Sequence, residues 1–236
     1  MHLPDHLLFL LAAGAFPVYS VWRMNAAPAA TADAEPVSRT GTYLATIGAM
    51  AAALAALLGW WAWAGRPFAS LGLGAGDGPA WALASASTAT TALALLAVPA
   101  AAARSARVRS WLDRELADSL RGGLELILPR TPREFVLFAA LSAMAAVAEE
   151  IVFRGFLLWY LGAVLPWWAA APLAAALFGA CHGYQGPAGI AKTAAMGLAL
   201  CLLYLGAGAL WPAMAFHFFL NIFTARLAYR HVFGGR

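Results

Sequence analysis

The chain has 236 residues, 63% of them hydrophobic and only 11% charged, with a formal net charge of +4. A soluble domain carries roughly a quarter charged residues; here the apolar residues form long runs, which excludes that class and points to an integral membrane protein. The basic residues cluster where a membrane protein needs them, so the positive balance does not suggest a nucleic-acid partner.

No hydrophilic segment is long enough to fold alone, and one integrated membrane domain is expected: an all-α, polytopic helix bundle of about seven transmembrane helices. No cleavable signal peptide is evident, since the first apolar run follows Asp5 and His6 rather than a basic stretch. Leu7 to Trp22 reads as a retained first span, with Pro17 as a kink, and Arg23 to Arg39 as a polar loop. Tyr43 to Trp63 is a second span that ends in an interfacial belt of Trp60, Trp61 and Trp63. A Gly-rich loop, Gly65 to Pro79, leads to a third span, Trp81 to Ala103. The many alanines in these spans suit close helix packing in lipid.

Arg104 to Arg133 is the one sizeable hydrophilic segment, and it holds seven of the fifteen basic residues. Trp111, Leu112, Leu116 and Leu120 recur in it at helical spacing, which fits an amphipathic surface helix as well as a solvated connector. The positive-inside rule puts this segment in the cytoplasm. Four further spans follow: Pro132 to Leu161, Pro166 to Cys181, Ile190 to Leu205 and Leu210 to Tyr229, with a breaker-rich stretch from His182 to Gly189. Seven spans then place the amino terminus outside, where there is no Lys or Arg, and the carboxyl terminus inside, with Arg226, Arg230 and Arg236.

Glu149, Glu150 and Arg154 sit in the fourth of these spans. The thirteen residues from Phe135 to Val147 carry no charge, and after Arg154 none appears until Lys192. At the centre of a membrane helix each such charge costs about 2.5–3.5 kcal/mol on insertion scales, so three together need a reason: a charge pair that fixes helix packing or, the default for an intramembrane ionisable residue, an active site within the bilayer. The other polar side chains in the carboxyl-terminal runs are His182, His217 and Asn221. At about 1.5 Å of rise per residue, Glu149 lies about 20 Å below the outer end of its helix, His182 about 24 Å and the His217/Asn221 pair about 10–18 Å. Three helices therefore bring polar groups to one middle zone of the membrane.

Glu150 and Arg154 are four apart with the acid first, the favourable order for an ion pair. Glu149 is about 100° round the helix, which leaves it as the freer carboxylate and the candidate general base. His217 and Asn221 share a face and suit hydrogen bonding to a developing oxyanion. Cys181 and Cys201 lie in apolar runs without Cys-x-x-Cys spacing and read as small buried residues. Cys181 and His182 are adjacent on a helix and point about 100° apart, so they do not form a thiol dyad.

The succession Glu149-Glu150-x-x-x-Arg154, Phe178-x-x-x-His182 and His217-x-x-x-Asn221 resembles the CPBP (Abi) family. That family comprises the type II CAAX prenyl endopeptidases and their bacterial relatives linked to bacteriocin processing and immunity. The resemblance covers roughly residues 132–232, within a protease core taken as residues 132–236, while residues 1–131 match only as generic membrane spans with an Arg-rich connector. It implies a multi-pass protease of the cell (inner) membrane that cleaves peptides or carboxyl-terminal anchors of membrane proteins. By the same resemblance Glu149 and His182 activate a water, His217 and Asn221 hold the oxyanion, and Glu150 and Arg154 brace the site. The reading needs no cofactor. A zinc-dependent version, with Glu149, His182 and His217 as ligands, stays open beside it, as does a non-catalytic peptide-binding immunity or scaffold protein. A proton-coupled transporter is disfavoured, because no pair of corresponding broken helices recurs in two halves of the chain.

Overall fold

The computed structural model describes residues 1–26, 38–76, 78–121 and 127–233, and their regular structure is entirely helical. Helix α1 consists of Leu3–Leu10 and Phe16–Ala26, joined by a π turn at Leu11–Ala15. Helices α2 (Arg39–Trp63), α3 (Gly78–Arg104) and α4 (Ala106–Arg121) follow. Helix α5 runs from Pro132 to Glu150 and continues through a π segment, Ile151–Leu157, into Leu158–Gly162. Helices α6 (Trp167–Cys181), α7 (Gly186–Ala207) and α8 (Trp211–Phe233) complete the bundle.

Five of these helices are long and apolar enough to cross a membrane: α1, α2, α3, α5 and α7. The expected seven spans all appear as helices, but two fall short of that standard. Helix α6 has 15 residues, which at about 1.5 Å each is well short of the roughly 30 Å hydrocarbon core. Helix α8 carries His217, Asn221, Arg226 and Arg230, which dilute its apolar character. Both are helices that hold candidate site residues.

Local structure departs from expectation in two places. Helix α1 continues through Pro17, and the irregularity lies one turn earlier. Proline removes a hydrogen bond to the carbonyl four residues back and crowds it; that carbonyl belongs to Ala13, inside the π turn. The breaker-rich stretch after His182 is shorter than its composition suggested: a 3-10 turn, Gly183–Gln185, leads straight into α7, with Pro187 in its first turn. The Arg-rich connector does contain a helix, α4. Most of the Arg23–Arg39 loop, and Arg236 in the tail, lie outside the described residues.

Capping explains where α5 begins. Thr131 accepts from the Glu134 N–H at 3.2 Å, Pro132 occupies the first turn, and Glu134 accepts from the Arg130 N–H at 2.7 Å. Two long-range ties fix the bundle's ends. Asp5, fully buried at the start of α1, accepts from both Arg66 Nη atoms at 2.7 Å and from Trp60 Nε1 at 2.8 Å. The Arg66 guanidinium also lies over Trp61 and Trp159, with its carbon 4.9 and 4.8 Å from their ring centres. At the opposite end, Lys192 near the start of α7 pairs with Glu115 of α4, so the connector helix and the His182 turn share a face of the bundle.

Small residues set the closest helix approach. Ala170, Ala171, Ala174, Ala175 and Gly179 of α6 are buried. A Cβ on Gly179 would stand 2.6 Å from the Ile190 carbonyl oxygen and 2.8 Å from the Ala194 methyl of α7. In lipid there is no hydrophobic drive between helices, so this packing is what joins them. Gly179→Ala is expected to lower stability in detergent unfolding by about 1–3 kcal/mol, the usual cost of overpacking. Gly48→Ala, at a position with open space in α2, should be neutral or gain up to about 1 kcal/mol from helix propensity. Equal behaviour of the two variants would contradict the close contact.

Candidate active site

The charged stretch sits where α5 changes from α to π winding. Glu149 and Glu150 are the last α-helical residues, and Ile151–Leu157 forms the π segment that carries Arg154. Such segments are rare and concentrate at functional sites. Gly155 lets this stretch lie against the loop after α2, because a Cβ there would stand 2.8 Å from the Leu71 carbonyl oxygen.

The ion pair expected from spacing is present. Arg154 Nη1 donates to Glu150 Oε1 at 2.9 Å, and both side chains are fully buried. Arg154 Nη2 donates to the Gly197 carbonyl of α7 at 3.2 Å, and its guanidinium carbon lies 4.2 Å from the Phe178 ring centre. Gly197 makes room for this: a Cβ there would be 3.0 Å from Phe178 and 3.3 Å from Arg154 Nη2.

Glu150 has a second partner that spacing along one helix does not reveal. His217 Nδ1, on α8, lies 2.9 Å from the same Oε1. The ring is therefore held at Nδ1, and its Nε2 faces Glu149, 3.8 Å from Oε2. Glu149 differs from its neighbour as expected. Its side chain keeps 17% exposure while that of Glu150 has none; the Oε2 atom of each is buried and lacks a hydrogen-bond partner among the described residues.

His182 comes to the same place at the end of α6. Its Nδ1 lies 2.9 Å from the Phe178 carbonyl, one turn back, so that Nδ1–H donates and Nε2 is left for other work. Phe178 is the hub of the arrangement. Its ring centre lies 4.7 Å from that of His182 and 6.1 Å from that of His217, and it stacks edge-on against Phe153 at 5.1 Å. Asn221, one turn beyond His217, is half-buried, and none of the hydrogen bonds among the described residues involves it. Cys181 and Cys201 are buried and free.

The donor types of Glu149, His182 and His217 suit zinc, and a carboxylate or carbonyl behind each histidine is the support a metal site would use. Their positions do not make a ligand set. Among the described residues no group of three or more His, Cys, Asp or Glu side chains stands close enough to hold a metal ion.

Sequence reasoning did not identify Ser20 of α1, which hydrogen-bonds on both sides of His182. Nor did it give Phe178 and Gly197 their roles around Arg154. The signals were slight: a lone hydroxyl in an apolar run, and a glycine within a helix.

Residues 131–223 match the family model described as type II CAAX prenyl endopeptidase Rce1-like. The match begins at the cap of α5, ends within α8 and includes every candidate site residue. No curated protein and no solved structure matches the chain.

The contrast between the two glutamates has a direct test. Glu150→Gln leaves Arg154 buried without its counter-charge, and breaking such a pair typically costs about 3–5 kcal/mol. Thermal unfolding in detergent should therefore fall sharply for Glu150→Gln and stay near wild type for Glu149→Gln. Similar melting for both variants would contradict the division of roles.

Proposed function

We propose, from the match of residues 131–223 to the type II CAAX prenyl endopeptidase Rce1-like family of intramembrane proteases, a glutamate- and histidine-activated hydrolysis of a peptide bond at or within the bilayer. The protease core on this reading is residues 132–236. Residues 1–131 supply the accompanying spans and the connector. The substrate is a peptide or a carboxyl-terminal membrane anchor, reached from lipid or from the cytoplasmic face.

One observation carries the reading. Of the two acids only Glu149 keeps a partly exposed side chain, and its Oε2 faces, at 3.8 Å, a histidine whose other nitrogen is already held by Glu150. Such a carboxylate can take a proton from water, as a general base does. His182, with Nδ1–H turned to the Phe178 carbonyl, presents Nε2 as an acceptor for the same water. The water oxygen then bonds to the carbonyl carbon, and its proton passes to Glu149. The carbonyl π pair becomes the oxyanion. That oxyanion accepts hydrogen bonds from His217 Nε2–H and from the Asn221 carboxamide.

For His217 to donate from Nε2 while its Nδ1–H donates to Glu150, the ring must carry both protons. Glu149 and Glu150 on either side balance that charge. Collapse of the tetrahedral intermediate breaks the C–N bond, and the proton held by Glu149 moves to the departing amine. Arg154 neutralises Glu150 and keeps its carboxylate aimed at His217. The orientation we infer has the amino terminus outside and the Arg-rich connector inside, from the positive-inside rule.

Two experiments test this reading. Membrane-protein termini are profiled in cells producing the wild-type protein or Glu149→Gln. Wild type should generate termini that the variant, folded but without its base, does not; identical profiles would leave a peptide-binding scaffold as the better description. A peptide spanning such a terminus, incubated with purified protein, should still be cut after exhaustive chelation. Loss of cleavage with chelator and stoichiometric recovery with zinc would reassign Glu149, His182 and His217 as ligands.

A further inference from the structure

We propose that Ser20, on the first helix and outside the family-matched region, is a positioning residue for His182; its catalytic consequence rests on the hydrolytic reading above, but its geometry does not. Helix α6 ends at Cys181 inside the bundle, and the last carbonyls of a helix have no partner within it. A buried backbone group without a partner is costly, and this end lacks the left-handed glycine cap that often supplies one. Ser20 meets the need from another helix. Its Oγ–H donates to the Cys181 carbonyl at 2.6 Å, and its oxygen accepts from the Gly183 N–H at 3.1 Å.

These are the residues on either side of His182, so one buried hydroxyl grips both peptide groups that flank the histidine. The ring itself is held by the Phe178 carbonyl. Together the two contacts fix the position of the His182 Cα and the tautomer of its imidazole. The rest of α1 is packed to keep Ser20 there. Phe9 and Ala13 lie against the cluster of Phe153, Leu157, Phe178 and Cys181, and Asp5 anchors the start of the helix to Arg66. The first helix is thus a working part of the site.

The test uses Ser20→Ala and Ser20→Thr in the full-length protein in detergent. Three readouts are taken: thermal unfolding, kcat and KM on the peptide obtained from terminus profiling, and histidine-selective nitrogen NMR. The His182 signals are assigned by their absence in His182→Gln. Misplacement of a catalytic group by about 1 Å can cost about a hundredfold in rate. Ser20→Ala should therefore lower kcat by about ten- to a hundredfold with KM little changed, and move the His182 ring signals while those of His217 stay. Ser20→Thr, which keeps the hydroxyl, should restore most of the rate and the signals.

Unmoved His182 signals in folded Ser20→Ala would overturn the proposal. So would a rate loss that only follows the loss of folded protein. The NMR readout needs no turnover. Shifted His182 signals in a chain whose wild type cuts nothing would refute the hydrolytic reading while leaving the positioning intact.

Discussion

One carboxylate oxygen organises the bundle. Glu150 Oε1 is shared by Arg154, one turn along the same helix, and by His217 on α8. Neither partner can be given up cheaply in so dry a place, because a buried charge without its counter-charge is among the most destabilising features a fold can hold. The requirement spreads outward. Arg154 also draws on the Gly197 carbonyl from α7 and the Phe178 ring from α6. Four helices are therefore tied to one buried cation, and each of the three motif segments contributes to it.

That constraint also separates the roles of two adjacent acids. Glu150 is fully buried, with its Oε1 held by Arg154 and His217, whereas the Glu149 side chain keeps 17% exposure and lies 3.8 Å from His217 Nε2. Chemistry inside a bilayer needs both conditions at once: a dry, rigid frame and one reactive group left open. The change from α to π winding directly after these residues coincides with the close approach of Gly155 to Leu71. In this way the loop after α2 becomes part of the wall behind the site.

The helical order and the candidate residues were legible because both rest on local rules. Long apolar runs announce helices, and a Glu four residues before an Arg announces a pair. That His217 lies at the depth of the acids was legible from helix rise alone, since the helices cross the same thickness. Cross-helix pairing was not. Nothing in the sequence around Glu150 points to His217, 67 residues away, and nothing around Ser20 points to Cys181. The Asp5–Arg66 tie was hidden for the same reason, with Asp5 reading only as the polar start of a span. Five of the seven expected spans meet the length and apolarity of a membrane span; α6 is short, and α8 interrupts its apolar run with His217, Asn221, Arg226 and Arg230.

The central claim is that Glu150 does two separable things, neutralising Arg154 and orienting His217. Stability and peptide cleavage measured together in the double variant Glu150→Gln/Arg154→Met test it most directly. Removing both charges leaves no buried ion unpaired, and replacing such a pair is often neutral or stabilising. The melting temperature lost in Glu150→Gln should return while cleavage does not, because His217 still lacks the carboxylate that aims it. Recovery of cleavage along with stability would contradict the account and reduce Glu150 to a structural counter-ion.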